Sequence, residues 1–582
     1  MNIFSKLVLS SLLGVIALTG CNRKEKREIG PGNSEVNVSK RDHFGLAMQY
    51  LFDVDASRRA SDQAIYHLNR WVLENPMAIE WEQTSLIKPL MPEFQQQSEL
   101  KRLDRLEFLP SDRMFLEEAW WLRSISNGAI EQPLTQTTKK WLDDQSELTA
   151  QQRELLREAC LLFDWTVRNI FLDPLLNYPK IGAAGPTVGG SGQTTRPALP
   201  SMRAEAGPGY RFFPLETMMI GRGDALNRAR VMLLLCRQRK IPAVMLGIDP
   251  GGTPRPAPWS CAVLIGKNVY LFEPELGLPI PGKEPGSLAT LAELRADKDW
   301  PTRLKDADQP YARTADDLTK LVALIDASSE CLSQRMAVLE ASLPSKYEMR
   351  ITIEPAEFAK QWRQADVFFD QPGRIRLWNL PFETAMFSVA ANTYVTQMPD
   401  AQRSELVKIK EPLMILQQLP MLMEARRRHA LGIFNDHDEQ KGAKTMYLES
   451  RTPDEMLKAL PKSKELQKHF GIVKDDESIA SFQARIARNI ELRNKAKYLS
   501  SYWLSLAQYD SGRIEVAVNW WKDRTLDAFP EGEMNAGAHY NLARCYEALG
   551  KNNEAAKSLS RTTWSQSHGD RIRSERLVPA NE

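Results

Sequence analysis

Thiols and imidazoles are the side chains best suited to covalent chemistry, and this chain of 582 residues holds six cysteines and seven histidines. Cys160, Cys236, Cys261, Cys331 and Cys545 lie far apart with no C-x-x-C spacing, so neither a disulfide framework nor a zinc site is suggested. One bridge, such as Cys236 to Cys261, stays open in an oxidising compartment. A cysteine nucleophile needs an imidazole as base and a carboxylate to orient it. No histidine occurs between His67 and His429. A thiol enzyme would therefore have to use Cys261 with a base from elsewhere, such as His429. Cys236 falls near a helix C-terminus, where the dipole disfavours a thiolate. Strand alternation puts Cys261 with Val263 and Ile265 on one face, which reads as packing. No H-E-x-x-H, G-x-S-x-G or EF-hand pattern occurs, and no metal or cofactor site is expected. Residues 189–195 (Gly-Gly-Ser-Gly-Gln-Thr-Thr) approach a phosphate loop, but Gln193 stands where its lysine belongs and Thr187 where its first glycine belongs.

The elements that must position these groups are clearest in the middle of the chain. Leu226 to Arg239 predicts a helix with Asp224 as N-cap and Leu226, Ala229, Leu233 and Cys236 on one face. Residues 243–248, 259–265 and 269–272 predict strands, and Gly266-Lys267-Asn268 makes the last two a hairpin. Residues 43–176 read as helices, 179–211 as a long loop rich in Gly, Pro, Ser and Thr, and 287–342 as helical again. The run from Glu348 to Pro355 reads as a strand, and so does Arg374 to Trp378, enough for a small sheet.

The stretch from Gly221 to Leu246, with Trp259 to Ile265 and Tyr270 to Pro279, resembles the core of the transglutaminase-like, papain-like superfamily over about 75 residues. That resemblance implies a nucleophilic cysteine at the helix start, a histidine on the following strand and an acid after it. Here the nucleophile position is Ala225, the histidine position falls at Trp259, Ser260 and Cys261, and the acid position is Glu273. Two of three triad members are absent. Glu216, Arg222, Asp224, Arg228 and Arg230 are candidates to line a surviving cleft, with Arg222 and Arg228 placed to meet an anion near the helix N-terminus.

At the other end of the chain, Lys6 precedes an apolar run from Leu7 to Leu18 of about 12 residues, the pattern of a signal peptide and too short to span a bilayer. Leu18-Thr19-Gly20-Cys21 resembles the lipobox of bacterial lipoproteins, which implies cleavage before Cys21 and its acylation. Two or three acyl chains anchor stably where one does not. Asn22 rather than Asp follows the cysteine, which favours the outer membrane weakly. Residues 22–40 read as a solvated tether.

Near the C-terminus, Ala538 to Gly550 and Asn553 to Leu559 resemble one tetratricopeptide helix pair, and Tyr502 to Trp521 a second, with further helices expected from 426 to 451. The fold expected is mainly α with a small α+β transglutaminase-like core and a C-terminal helical-repeat domain. Its parts are a signal segment (1–20), a tether (21–40), a helical domain (41–178), a Gly/Pro-rich loop (179–212), the core (213–285), helices with a small sheet (286–385) and helical repeats (386–582). A hydrophobic content of 43% and a net charge of +2 fit an ordinary globular chain and give no reason to expect nucleic acid. The expectation is a lipid-anchored envelope protein, non-catalytic, meeting a protein partner through its repeats or vestigial cleft. A thiol-dependent envelope enzyme (transglutaminase, amidase or protease) is the alternative, and a solute-binding lipoprotein is weaker because no two-lobed α/β pattern appears.

Overall fold

The computed structural model describes residues 42–52, 58–76, 79–174, 212–253, 255–306, 309–394, 400–561 and 563–578. Cys21, the tether and most of the 179–212 loop, with its phosphate-loop look-alike, lie outside them. The protein is mainly helical around one six-stranded sheet. Helices α1 (His43–Phe52), α2 (Arg58–Glu74), α3 (Asp112–Ala129) and α4 (Ala150–Asn169) come first. Helix α5 (Pro214–Ile220) and α6 (Ala225–Gln238) lead into the sheet. Strands β1 (Phe171–Leu172) and β2 (Arg222–Gly223) form a short parallel pair of their own. The main sheet comprises β3 (Ala243–Ile248), β4 (Ala257–Ile265), β5 (Asn268–Glu273), β6 (Leu278–Pro279), β7 (Leu321–Ile325) and β8 (Ile375–Leu377), in the order β6-β5-β4-β3-β7-β8. All neighbours run antiparallel except β7 and β8.

Both faces of this sheet are covered. Met245, Cys261, Val263, Tyr270 and Phe272 pack with α6. Val244, Leu246, Leu264, Leu271 and Ile325 pack on the other side with Trp300 and Trp362. That is why β3 and β7 read as continuous apolar runs rather than alternating ones. Helix α6 lies inside the molecule, with every residue from Ala225 to Cys236 buried, not only the one face its periodicity marks. Gly266 turns the β4–β5 hairpin at φ 63°, a left-handed value that glycine takes without strain.

Two expected elements differ. The stretch 287–342 contains α-helix at Leu291–Ala296 and Gln334–Ser342, but also β7, whose five apolar residues complete the sheet beside β3. Residues 348–354 carry no strand. Their amides are taken by side chains instead: Ile351 and Thr352 N–H each donate to Glu340 Oε2 at 2.8 Å, and Arg350 N–H to Gln238 Oε1 at 2.9 Å. Once those donors are satisfied, no ladder partner is required.

The C-terminal part is helical, including α7 (Pro420–Ala430), the 32-residue α8 (Ile479–Asp510), α9 (Ile514–Asn519), α10 (Asn535–Ala548), α11 (Asn552–Leu559) and α12 (Ser567–Leu577). Gly512 and Gly550, at φ 77° and 72°, follow α8 and α10 and turn the chain into α9 and α11. Ala543 and Ala555 are fully buried where α10 meets α11. No described helix is long and apolar enough to cross a membrane.

Candidate functional site

Helix α6 starts where the transglutaminase resemblance would put a nucleophile. Asp224 acts there as a cap: its carboxylate accepts from Leu226 N–H and Asn227 N–H, both at 3.0 Å, while Asn227 Oδ1 accepts from Asp224 N–H at 3.2 Å. Ala225 is buried. The charged residues expected to line a cleft are engaged elsewhere. Arg222 pairs with Asp173 at 2.6 Å and with Glu533 at 3.1 Å. Glu216 caps Phe213 N–H and meets Lys410 Nζ at 3.1 Å. Arg230 pairs with Asp326 at 2.9 Å, both buried.

Arg228 is fully buried and donates to the carbonyls of Ile170 (2.8 Å), Pro274 (3.2 Å) and Val167 (3.3 Å), and to Gln566 Oε1 just before α12. The expectation that Arg222 and Arg228 meet an external anion is therefore overturned, because protein acceptors occupy them. The C-terminal helices close this end of α6.

The other triad positions are divided between the two faces of the sheet, Trp259 and Glu273 converging on Tyr311 while Cys261 faces α6. A bulge between Leu246 and Gly247 pairs Leu246 with Ser260 and Gly247 with Pro258, leaving Trp259 out of register. Trp259 thereby packs with Trp300 on the face opposite α6, while Cys261 faces α6 with its Sγ 3.9 Å from Ala229 O. Ser260 Oγ donates to Phe272 O at 3.0 Å. Glu273 Oε2 accepts from the Tyr311 hydroxyl at 2.6 Å, and Tyr311 Oη accepts from Trp259 Nε1–H at 2.7 Å. The acid position thus orients a tyrosine. Burial pushes the Glu273 carboxyl up to about 8, against the opposing Tyr311 bond, and pushes the Tyr311 phenol up as well. Tyr311 lies in a stretch that reads as helical, and no local motif marks it.

The thiols are free at Cys160, Cys236, Cys261, Cys331 and Cys545, so the Cys236–Cys261 bridge is absent. Burial drives the Cys236 and Cys261 thiols upward, away from thiolate. His429 does not reach either. Its Nε2 sits 3.1 Å from Asp510 Oδ2, and its Nδ1 lies 3.3 Å from Arg426 Nη1 and 3.2 Å from Tyr447 Oη. An arginine only donates, so Nδ1 accepts and Nε2–H donates to Asp510. Among the described residues no cluster of three or more His, Cys, Asp or Glu could hold a metal ion.

The C-terminal helices α8 and α10 bury side chains against the rest of the protein. Tyr502, Trp503, Trp521, Ala538 and Leu542 pack on Phe171, Phe212 and Ile220. Arg168 ties this layer down, meeting Asp510 and Asp164 at 2.7 Å each, and Arg544 joins Asp164 at 2.8 Å.

An open cavity of about 400 Å³ lies elsewhere, at the β8 end of the sheet. Leu324, Leu377 and Trp378 line it from β7 and the end of β8, Leu86 from the N-terminal helical region, and Arg255 and Arg376 complete the wall. Its sequence signals are the proline-rich run 250–258 and a tryptophan closing a strand, neither of which specifies a pocket alone. Comparison with known proteins adds no assignment: no family model, curated protein or solved structure matches this chain.

Proposed function

We propose that this chain is a non-catalytic lipoprotein of the bacterial cell envelope, anchored through acylated Cys21, with an interaction or scaffolding role. Its core is a degenerate transglutaminase-like unit braced by tetratricopeptide-like helices. The observation that carries the non-catalytic reading is Ala225 at the start of α6, with Arg228 one turn on bonded to Gln566 from the C-terminal helices. Support also comes from Glu273, whose carboxyl group accepts from Tyr311, and from His429, held by Asp510. A protein partner would be met through the concave surface of the stacked C-terminal helices or through the vestigial cleft.

Two measurements test the reading. Metabolic labelling with a palmitate analogue is expected to mark the chain and to fail on Cys21→Ser. Detergent-purified full-length protein, given an amine donor and a Gln-containing peptide, is expected to show no thiol-dependent turnover, and turnover abolished by alkylation would overturn the non-catalytic assignment.

A further inference from the structure

We propose that the cavity at the β8 end of the sheet binds a small amphiphilic carboxylate, an anionic head on an apolar aromatic or aliphatic body. This rests on the cavity alone and stands apart from the closed end of α6. Its volume of about 400 Å³ falls in the range of small-molecule sites, roughly 300 to 1,000 Å³. Its apolar surface comes from Leu86, Pro89 and Pro258, which keep accessible area, backed by the buried Leu324, Leu377 and Trp378. A flat ring or short chain would lie against these groups and displace water from them.

The charge on the wall has one sign. Among the described residues, Arg255 and Arg376 line the cavity and no carboxylate does. Their acidic partners, Glu383 and Asp249, sit behind them and are themselves buried. Asp249 is already neutralised by Gly251 N–H, Thr253 N–H and Arg376 Nη2, at 3.2, 2.7 and 2.9 Å. Arg376 is fixed by three bonds, from Nε to Gly373 O, from Nη1 to Thr253 O and from Nη2 to Asp249. A guanidinium carries five N–H groups in a rigid fork. One N–H on each terminal nitrogen has no acceptor among these three bonds, and either can donate to a bound carboxylate. A prefixed guanidinium loses little freedom on binding, which favours such a ligand further.

The test is calorimetric titration of detergent-purified full-length protein with 3-phenylpropionate, 3-phenylpropanol and 3-phenylpropylamine, each corrected with protein-free detergent. The carboxylate is expected to bind at least about tenfold more tightly than the alcohol, and the amine more weakly than either. Arg376→Gln should erase the preference and leave the acid binding like the alcohol. Since Arg376 also braces the β3–β4 loop, Leu86→Trp provides an independent check: it fills the cavity from a half-exposed position and should abolish binding of both. Equal binding of the three probes to the wild type, unchanged binding to Leu86→Trp, or no binding of the acid on the order of 1 mM would overturn the proposal.

Discussion

Gly569 in α12 lies flat against the backbone carbonyl of Leu276, so close that a Cβ at that position would stand 1.8 Å from the oxygen. Leu276 belongs to the turn between β5 and β6, so this contact seats the last helix on the sheet. The obstacle is backbone, which cannot swing aside as a side chain would. Gly569→Ala is expected to cost about 1–3 kcal/mol, the range of an overpacked core. Limited proteolysis should then cut between α11 and α12 sooner than in the wild type. Gly128 in α3 gives the contrast, because a Cβ there would meet nothing within 4 Å. Gly128→Ala should stabilise by about 0.5–1 kcal/mol, and a urea midpoint falling in both variants would refute the steric account.

Arg228 joins α6 to the C-terminal helices from inside. Replacing it with Met leaves three carbonyls and Gln566 Oε1 without their donor in a dry interior. Leaving buried acceptors without their donor costs about 1–3 kcal/mol. Arg228→Met is expected to fall in that range in equilibrium denaturation, and Arg228→Lys to recover only part of it, since a point charge cannot serve four acceptors spread around a planar fork. Full recovery by lysine would show that charge alone matters here.

What was legible in the sequence was local. Asp224 announces the start of α6 and Gly266 the hairpin, because a cap and a turn are decided by residues two or three apart. What escaped depends on distant partners. Leu321 to Ile325 becomes a strand only because β3 lies beside it, and 348–354 stays unpaired only because Glu340 and Gln238 take its amides. The alanine at 225 and the gap in histidines between His67 and His429 are plain in the residues. The closure of the expected cleft is not, because it rests on Gln566, 338 positions beyond Arg228. The cavity was hidden for the same reason, being assembled from 86, 255, 324 and 376–378.

A cysteine placed at position 225 should produce no thiol enzyme. In Ala225→Cys the new thiol would sit at a helix N-terminus, which lowers its pKa, but beside the Asp224 carboxylate and in a buried position, both of which raise it. With no histidine contacting this end of α6 among the described residues, there is no base to take its proton. The variant is expected to react with iodoacetamide more slowly than a free cysteine at pH 8 and to incorporate no amine donor. Rapid alkylation confined to residue 225 would show that the helix end is open.

Stability should respond to pH in two opposite windows. Burial raises Glu273 to about 8 and Glu118 to about 7, from an ordinary carboxylate value of 4.5. A carboxyl whose folded value is raised holds its proton in the native state after the unfolded chain has lost it, so the native state weakens as pH climbs from about 4.5 to 8. Asp510 behaves oppositely. Burial pushes it up, but Arg168 and His429 outweigh burial and hold it at about 2. Its contribution is full above 3.8, the ordinary aspartate value, and is lost as pH falls towards 2. Urea midpoints are therefore expected to peak between about pH 4 and 5 and to decline on both sides, each group contributing on the order of a few kcal/mol. Glu273→Gln removes one titrating group while keeping an acceptor for Tyr311, so its midpoint should decline less between pH 5 and 8. Asp510→Asn should flatten the acid limb and leave the alkaline one unchanged. If Glu273→Gln retains the full alkaline decline, Glu273 is ionised in the native protein throughout that range, and the Trp259–Tyr311–Glu273 chain is held by a charge rather than by a buried acid.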